Sequence, residues 1–176
     1  MVHFQATDMV ASNSPGGPSI SFVVKGMPTV QDRTGVSWKT QTRARVYDPS
    51  SKNKSNFAKA VKLEMGAVGV TVLPYFTDST ALLLKAKFVL PRPKNELDRR
   101  KTPPELAVGA MSFPRGKDLD NLVKFAMDAL QGILYANNTN IICAEIQKCY
   151  ACDILEGVGW TELDFAKVVC IDPPRN

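Results

Sequence analysis

The residues from Lys117 to Lys148 read KDLDNLVKFAMDALQGILYANNTNIICAEIQK and hold a helical pattern followed by a strand pattern. The helix is predicted to begin at Asp118 or Asp120, either of which could cap it, and to end near Leu134. Residues 141–148 are predicted to form the strand that follows. The apolar face of the predicted helix consists of Leu122, Phe125, Ala126, Ala129 and Ile133.

Outside this stretch the chain alternates strand patterns with one more helical pattern. The helical spacing begins after Ser55 and includes Phe57, Val61, Met65 and Val68. Strands are predicted at residues 19–25, 81–90 and 160–169, and a polar loop is expected between residue 26 and Arg45. The order predicts one α/β (α+β) domain over residues 19–176, a mixed sheet with flanking helices. Residues 1–18, rich in Ser, Asn, Pro and Gly near their end, are predicted to be a flexible leader.

The composition excludes several classes of protein. The chain has 176 residues, of which 44% are hydrophobic and 22% charged, so it is neither a disordered tail nor a membrane channel. No run approaches the roughly 18 apolar residues that a bilayer span needs, and the N-terminus lacks a secretory signal. With four cysteines and no signal, we expect an intracellular protein of the cytoplasm, the nucleoid or a DNA-containing organelle.

The charges are distributed unevenly along the chain. Through Lys117 there are 18 Lys or Arg residues against 8 Asp or Glu, whereas the remainder has 4 against 9. A basic body of this kind favours a polyanionic partner, although a solvated surface remains the alternative. The long proline-containing loop from Pro91 to Lys117 is expected to contact DNA phosphates. Its candidate DNA-binding residues are Arg92, Lys94, Arg99, Arg100, Lys101, Arg115 and Lys117.

The pair Asp118 and Asp120 is the candidate metal site. Side chains two apart in an extended segment point the same way, so the two carboxylates would repel unless a cation joined them. Mg²⁺ is the natural partner for such oxygens, and Lys124, one helical turn later, could lie over a phosphate. The alternative is a capping aspartate next to a surface aspartate. Asp128, four residues after Lys124, either orients that lysine or forms a helix-surface ion pair with it.

Other site motifs fail or are weak. The spacing of Gly109, Gly116 and Lys117 does not fit a phosphate-binding loop, and no G-x-G-x-x-G is present. The one histidine, His3, lies in the predicted flexible leader, which argues against a histidine-based triad. A zinc site would need all four cysteines to converge, whereas Cys143 and Cys170 fit strand patterns as small core residues. The four are Cys143, Cys149, Cys152 and Cys170.

The stretch from Lys117 to Lys148 resembles the signature of the RusA-type Holliday-junction resolvases. The signature reads approximately (K/R)-D-x-D-N-L-x-K-x-x-x-D-A-L-x-G, then an Asp-Asp pair, then a strand that ends in lysine. The segments ISFVVKGMP, VYDPSSKNKSNFAKAVKLEM and LLLKAKFVLPRP are also similar to the family. The resemblance covers about residues 19–170.

This resemblance implies a homodimer that binds four-way DNA junctions and nicks two opposing strands with Mg²⁺. It implies that Asp118 and Asp120 bind the metal and that Lys124 is catalytic. The chain departs from the family at Asn137 and Asn138, which stand where the family has two aspartates. The second position supplies a catalytic, metal-binding carboxylate in the family, so Asn138 implies an engineered form or a natural member with weakened or lost cleavage.

Two other functions remain open from the sequence. One is a protein that binds junctions or other DNA structures without cutting them. The other is a Mg²⁺-dependent transferase that uses the Asp-x-Asp pair on a sugar nucleotide, although the chain has little room for a nucleotide domain.

Overall fold

The structure, a computed structural model, describes residues 3–14, 17–33, 35–40, 43–98, 100, 105–151 and 158–168. Over these residues the chain forms helices, strands and two short 3₁₀ turns. The helices are α1 (Ser51–Ala67) and α2 (Leu119–Leu130). The strands are β1 (Gln5–Ser14), β2 (Gly17–Lys25), β3 (Gly35–Thr40), β4 (Arg43–Tyr47), β5 (Leu82–Leu90), β6 (Leu97–Asp98), β7 (Glu105–Leu106), β8 (Ile141–Tyr150) and β9 (Trp160–Lys167).

One five-stranded sheet organises the fold. Its strand order is β1-β2-β9-β5-β8, so β1 and β8 are the edges. The strands β5 and β8 are parallel, and the other neighbours are antiparallel. Parallel neighbours need a long crossover connection, and here it contains the long loop and α2. The prediction of a mixed sheet with flanking helices is therefore confirmed.

Both helices contribute to a single core on one face of the sheet. On β5, Leu84 and Phe88 are buried, whereas Lys85 lies on the opposite face and is exposed. The core also takes Phe57 from α1 and Phe125 from α2. Burial of such side chains stabilises the fold by roughly 1.5–3 kcal/mol each relative to exposure, before the entropy of folding is subtracted. The helix α2 meets the sheet at its β8 edge.

The helix α2 ends earlier than its apolar spacing predicts. It stops at Leu130 rather than near Leu134, because Gly132 takes a φ of 78° that a continuing helix does not allow. Tyr135 then turns back under the helix and donates a hydrogen bond from its hydroxyl to the Met127 carbonyl oxygen at 2.8 Å. Within the described residues, neither α1 nor α2 combines the length and the apolar character that crossing a lipid bilayer requires.

The N-terminal segment differs from the expected flexible leader. Residues 5–14 form β1, which pairs antiparallel with β2. Ala6 and Met9 are buried in the core, and Phe4 packs against it. The polar and glycine-rich residues that suggested a leader surround the β1–β2 connection, where turn-forming residues are expected.

Two segments predicted as loops contain short strands. The polar segment before Arg45 includes β3 and continues into β4, and the two form an antiparallel ribbon. The loop from Pro91 to Lys117 contains a 3₁₀ turn at Lys94–Glu96 and the short pair β6–β7. Neither pair joins the main sheet.

We predict that Phe4→Ala lowers the free energy of unfolding by about 2 kcal/mol, because it removes a large part-buried ring. The Phe4 ring lies edge-on to Phe57, with centroids 5.2 Å apart. Urea denaturation measures the change, and Val10→Ala is the control because Val10 is 61% exposed on β1, the strand that begins directly after Phe4. Equal stability of Phe4→Ala and the unchanged protein would mean that this segment does not contribute to the fold.

Candidate active site

Two lysines hold the turn that precedes α2. Lys117 has a φ of 62°, a left-handed conformation that most residues adopt only at a cost in free energy. Its ammonium donates a hydrogen bond to the carbonyl oxygen of Pro28. From β8, Lys148 donates to the carbonyl oxygen of Lys117 at 2.8 Å. Burial lowers the pKa of Lys117. The turn is therefore tied both to β8 and to the segment that follows β2.

The carboxylates of Asp118 and Asp120 flank the start of α2. Asp118 is the N-cap residue, with extended φ and ψ of −65° and 137°, whereas Asp120 already lies in the first helical turn. The two therefore do not share an extended segment, and the prediction that they point the same way for that reason is wrong. The Asp118 side chain makes no capping hydrogen bond, and both residues are exposed. The helix dipole favours negative charge at this end.

An open groove of about 700 Å³ lies between α2 and β8. It brings together Asp120, Lys124 and Asn138, three of the four residues predicted to be catalytic. Asp118 does not line the groove but directly precedes Leu119, which does. The complete lining is Leu119, Asp120, Val123, Lys124, Met127, Asp128, Asn138 and Ile146.

Asn137 begins the short 3₁₀ turn over Asn138–Asn140 and caps it. The Asn137 side chain accepts a hydrogen bond from the backbone nitrogen of Thr139 at 3.3 Å. In return, the backbone nitrogen of Asn137 donates to Oδ1 of Asn140 at 3.1 Å. This reciprocal pair directs the Asn137 side chain to its own turn, and Asn137 does not line the groove.

The Asn138 amide lies against α2. Its Nδ2 donates a hydrogen bond to Oδ1 of Asp128 at 3.2 Å. Its Oδ1 is buried and has no hydrogen-bond partner among the described residues. A buried acceptor left without a partner costs about 1–3 kcal/mol. The amide is thus fixed at its donor end, while its acceptor end lacks a partner from the described chain.

Asp128 joins the groove to α1 through Lys54. The Lys54 ammonium lies 3.1 Å from Oδ2 of Asp128 and 2.7 Å from Oδ2 of Asp48. The expected ion pair between Asp128 and Lys124 is not among the salt bridges of the described residues. Asp128 pairs with Lys54 of α1 instead. The sequence held one signal for this: Lys54 stands three residues before Phe57, on the buried stripe of α1.

The acid–lysine contacts shift the pKa values of both partners. A hydrogen bond from Lys54 holds the pKa of Asp48 below its ordinary value, in spite of partial burial. Burial acts to lower the pKa of Lys54, but hydrogen bonds to Asp48 and Asp128 outweigh it and the pKa is raised. Both shifts favour the charged forms, so Asp48 and Lys54 form an ion pair at neutral pH.

Arg92, predicted to contact DNA, is held inside the basic loop, which runs from Pro91 to Lys117. Its guanidinium donates to the Met111 carbonyl oxygen at 2.8 Å and pairs with Glu96 at 3.3 Å. It also lies over the Tyr150 ring, 4.4 Å from the centroid. These contacts anchor the loop to the end of β8 and leave the Arg92 side chain only 13% exposed.

The other basic residues are divided between exposed and part-buried positions. Lys94, Arg100 and Arg115 are exposed, whereas Lys117 is part-buried. Arg99 and Lys101 lie outside the described residues. The exposed three are on the loop that leads into α2, the helix that lines the groove.

The cysteines give no support to a zinc site. Cys143 is exposed on β8, contrary to the expectation of a small core residue, because its register with Leu83 of β5 places it on the face of the sheet opposite to the buried Leu84. Cys149 is part-buried, and Cys152 and Cys170 lie outside the described residues. Among the residues that are described, no three His, Cys, Asp or Glu side chains cluster in a way that could hold a metal.

We predict that Asn137→Asp changes the free energy of unfolding by less than about 0.5 kcal/mol, because aspartate and asparagine cap equally well. Asn137→Ala should lower it by about 1 kcal/mol, because the Thr139 nitrogen loses its acceptor. Thermal unfolding of the three proteins tests this. If Asn137→Ala is as stable as the unchanged chain, Asn137 does not cap the turn.

Comparison with known proteins identifies the family. A family model described as Endodeoxyribonuclease RusA matches residues 25–156 of the chain's 176. This range contains α1, α2, the groove between α2 and β8, and the basic loop. A search of curated proteins found no significant match. The resemblance seen in the sequence is thereby confirmed: the chain belongs to the RusA endodeoxyribonuclease family.

Proposed function

We propose that this protein is a Mg²⁺-dependent endonuclease of the junction-resolving kind whose cleavage step is weakened by Asn138. Family membership supports an endonuclease that acts on DNA junctions. The observation that carries the finer proposal is the groove that joins Asp120, Lys124 and Asn138. The lining of the groove includes an acid, a cation and an amide whose oxygen has no partner among the described residues, and Asp118 directly precedes the lining residue Leu119.

The donor chemistry of the groove fits a hard divalent cation. Asp118 and Asp120 supply carboxylate oxygens, and the unpartnered Oδ1 of Asn138 is a third oxygen. Bound Mg²⁺ would supply Lewis-acid stabilisation of the phosphate and a water of lowered pKa. Lys124 is exposed and one turn beyond Asp120, which suits it to neutralise charge that develops on the phosphate.

Asn138 limits what this donor set can do. An amide offers a neutral oxygen, without the charge that raises metal affinity and without the basicity to accept a proton from water. Its nearest acid, Asp128, is committed to Lys54 and to the Asn138 amide itself. Asp128 is therefore poorly placed to replace the missing carboxylate. We infer that cleavage is slow even where DNA is bound.

The exposed basic residues support DNA binding by contacts to phosphates. Lys94, Arg100 and Arg115 present positive charge on the loop that precedes the groove, and such contacts give affinity without reading sequence. Paired nicks in opposing strands of a four-way junction call for two sites related by a twofold axis. We therefore propose a homodimer as the active species.

A second candidate function is junction binding without cleavage. Asn138 favours this candidate too. With asparagine in place of aspartate, the groove keeps the positive charge of Lys124 but has one negative charge fewer to repel the DNA phosphates. The two candidates predict different results for Asn138→Asp: nicking is restored in a weakened endonuclease, but not in a protein that only binds junctions.

We predict tighter binding to a four-way junction than to a linear duplex of the same length. Gel-shift competition measures the preference, at fixed salt because phosphate contacts make affinity strongly salt-dependent. A three-way junction with the same arms is the matched competitor for branching alone. Equal binding to duplex and four-way junction, or no binding to either, would contradict the proposal.

We predict that Asn138→Asp raises the rate of junction cleavage in Mg²⁺ about tenfold or more, because the missing carboxylate is a catalytic group. Asn137→Asp should change it much less, because Asn137 caps its own turn and does not line the groove. Single-turnover cleavage of a labelled junction compares the three proteins.

Rapid paired nicking by the unchanged chain would show that Asn138 does not limit the reaction. An Asn138→Asp protein that binds junctions as tightly as the unchanged chain, yet stays inactive, would favour the non-catalytic candidate.

A further inference from the structure

A continuous series of contacts runs from the start of α1 to the Asn138 amide. The acid–lysine–acid triad, which consists of Asp48, Lys54 and Asp128, forms its first part, with the ammonium 2.7 Å and 3.1 Å from the two carboxylates. Asp128 then accepts the hydrogen bond from Nδ2 of Asn138 at 3.2 Å. The Lys54 side chain is 15% exposed, so water screens these contacts only in part.

The far end of the triad is itself anchored. Oδ1 of Asp48 accepts a hydrogen bond from the backbone nitrogen of Ser50 at 2.8 Å, and Nε2 of Gln31 donates to it at 3.4 Å. Ser50 is fully buried at the start of α1. Asp48 is thus held by the backbone at the start of α1. Because Lys54 pairs with both carboxylates, it holds Asp128 of α2 at a fixed position relative to Asp48.

Both oxygens of Asp128 are used. Oδ2 contacts Lys54 and Oδ1 contacts the Asn138 amide. Without the Lys54 ammonium, Asp48 and Asp128 would be two part-buried carboxylates that face each other with no cation between them. Their repulsion would free Asp128 to rotate toward solvent and away from Asn138.

The two ends of an asparagine amide are alike in shape, so charge decides which way it faces. The Asp128 carboxylate accepts from Nδ2 and would repel Oδ1, and a half-turn of the amide would place those two oxygens together. The end that remains without a partner is therefore the oxygen. Its orientation depends on Asp128, and that of Asp128 depends on Lys54.

We propose that Lys54 is a positioning residue of this site, which fixes the orientation of the Asn138 amide and keeps its oxygen free of a partner by fixing Asp128. The role of that oxygen rests on the proposed function. The positional effect itself is a property of the protein without DNA or metal.

The test is the side-chain amide signal of Asn138 in ¹⁵N-labelled, metal-free protein, identified by its loss in Asn138→Asp. Lys54→Met removes the charge at similar length, and Lys54→Arg retains it. Lys59→Met is the matched control, because Lys59 is exposed on the same helix.

In Lys54→Met we expect the amide protons to exchange about fivefold faster and to shift toward the values of a free amide. Lys54→Arg and Lys59→Met should retain most of the original behaviour.

Asn140 is an internal control for general loosening. Its Nδ2 donates to the carbonyl oxygens of Asp78 at 2.7 Å and Thr80 at 3.1 Å, from the same turn as Asn138. Positioning predicts a change at Asn138 alone, whereas a purely structural role of Lys54 would change both amide signals. An unchanged Asn138 signal, or equal changes at Asn138 and Asn140, would overturn the proposal.

A milder variant decides the matter if Lys54→Met does not fold. Asp48→Asn keeps Lys54 but weakens its anchor, and it should shift the Asn138 signal in the same direction by a smaller amount. No shift in the Asn138 signal of Asp48→Asn would also overturn the positioning role.

A separate experiment adds Mg²⁺ to the unchanged protein. An Asn138 signal that does not respond to Mg²⁺ would count against the proposed function, whereas it would leave the positional effect of Lys54 unaffected.

Discussion

The packing of Phe125 against Phe57 fixes α2 relative to α1, and the site depends on it. The two rings meet edge to face with centroids 5.7 Å apart, and both are buried. The two rings are close-packed, but the burial of apolar surface is non-directional. The ion pair between Lys54 and Asp128 is specific, because it joins one residue of α1 to one residue of α2 and so fixes which parts of the two helices face each other. Together they place one face of α2 along the groove beside β8.

The sequence predicts the elements whose signals are local. The period of Leu122, Phe125 and Ala129 predicts α2, and the spacing of Phe57 and Val61 predicts α1, because a buried helical face repeats every three or four residues. The end of α2 is mispredicted because the apolar pattern continues past Gly132, whose backbone conformation the pattern does not encode.

Elements that depend on distant partners are harder to predict. The strand β1 is polar at its C-terminal end, and its place in the fold comes from pairing with β2 and from Phe4 meeting α1 and α2. Cys143 follows a strand pattern, but only its register with Leu83 of β5 shows that it lies on the face opposite to the core, where it is exposed. The site divides in the same way. Asp120, Lys124 and Asn138 stand in one motif, whereas Lys54 reaches Asp128 across 74 positions of the chain.

We propose that the groove beside α2 is a divalent-metal site which the residue at position 138 completes. Crystals of the unchanged protein and of Asn138→Asp, grown in the same concentration of Mn²⁺, test this directly through anomalous scattering. We expect an anomalous peak in the groove, in contact with Asp120 and the side chain at position 138, that is stronger in Asn138→Asp. The absence of a groove peak in both crystals, or peaks of equal strength in the two, would contradict it.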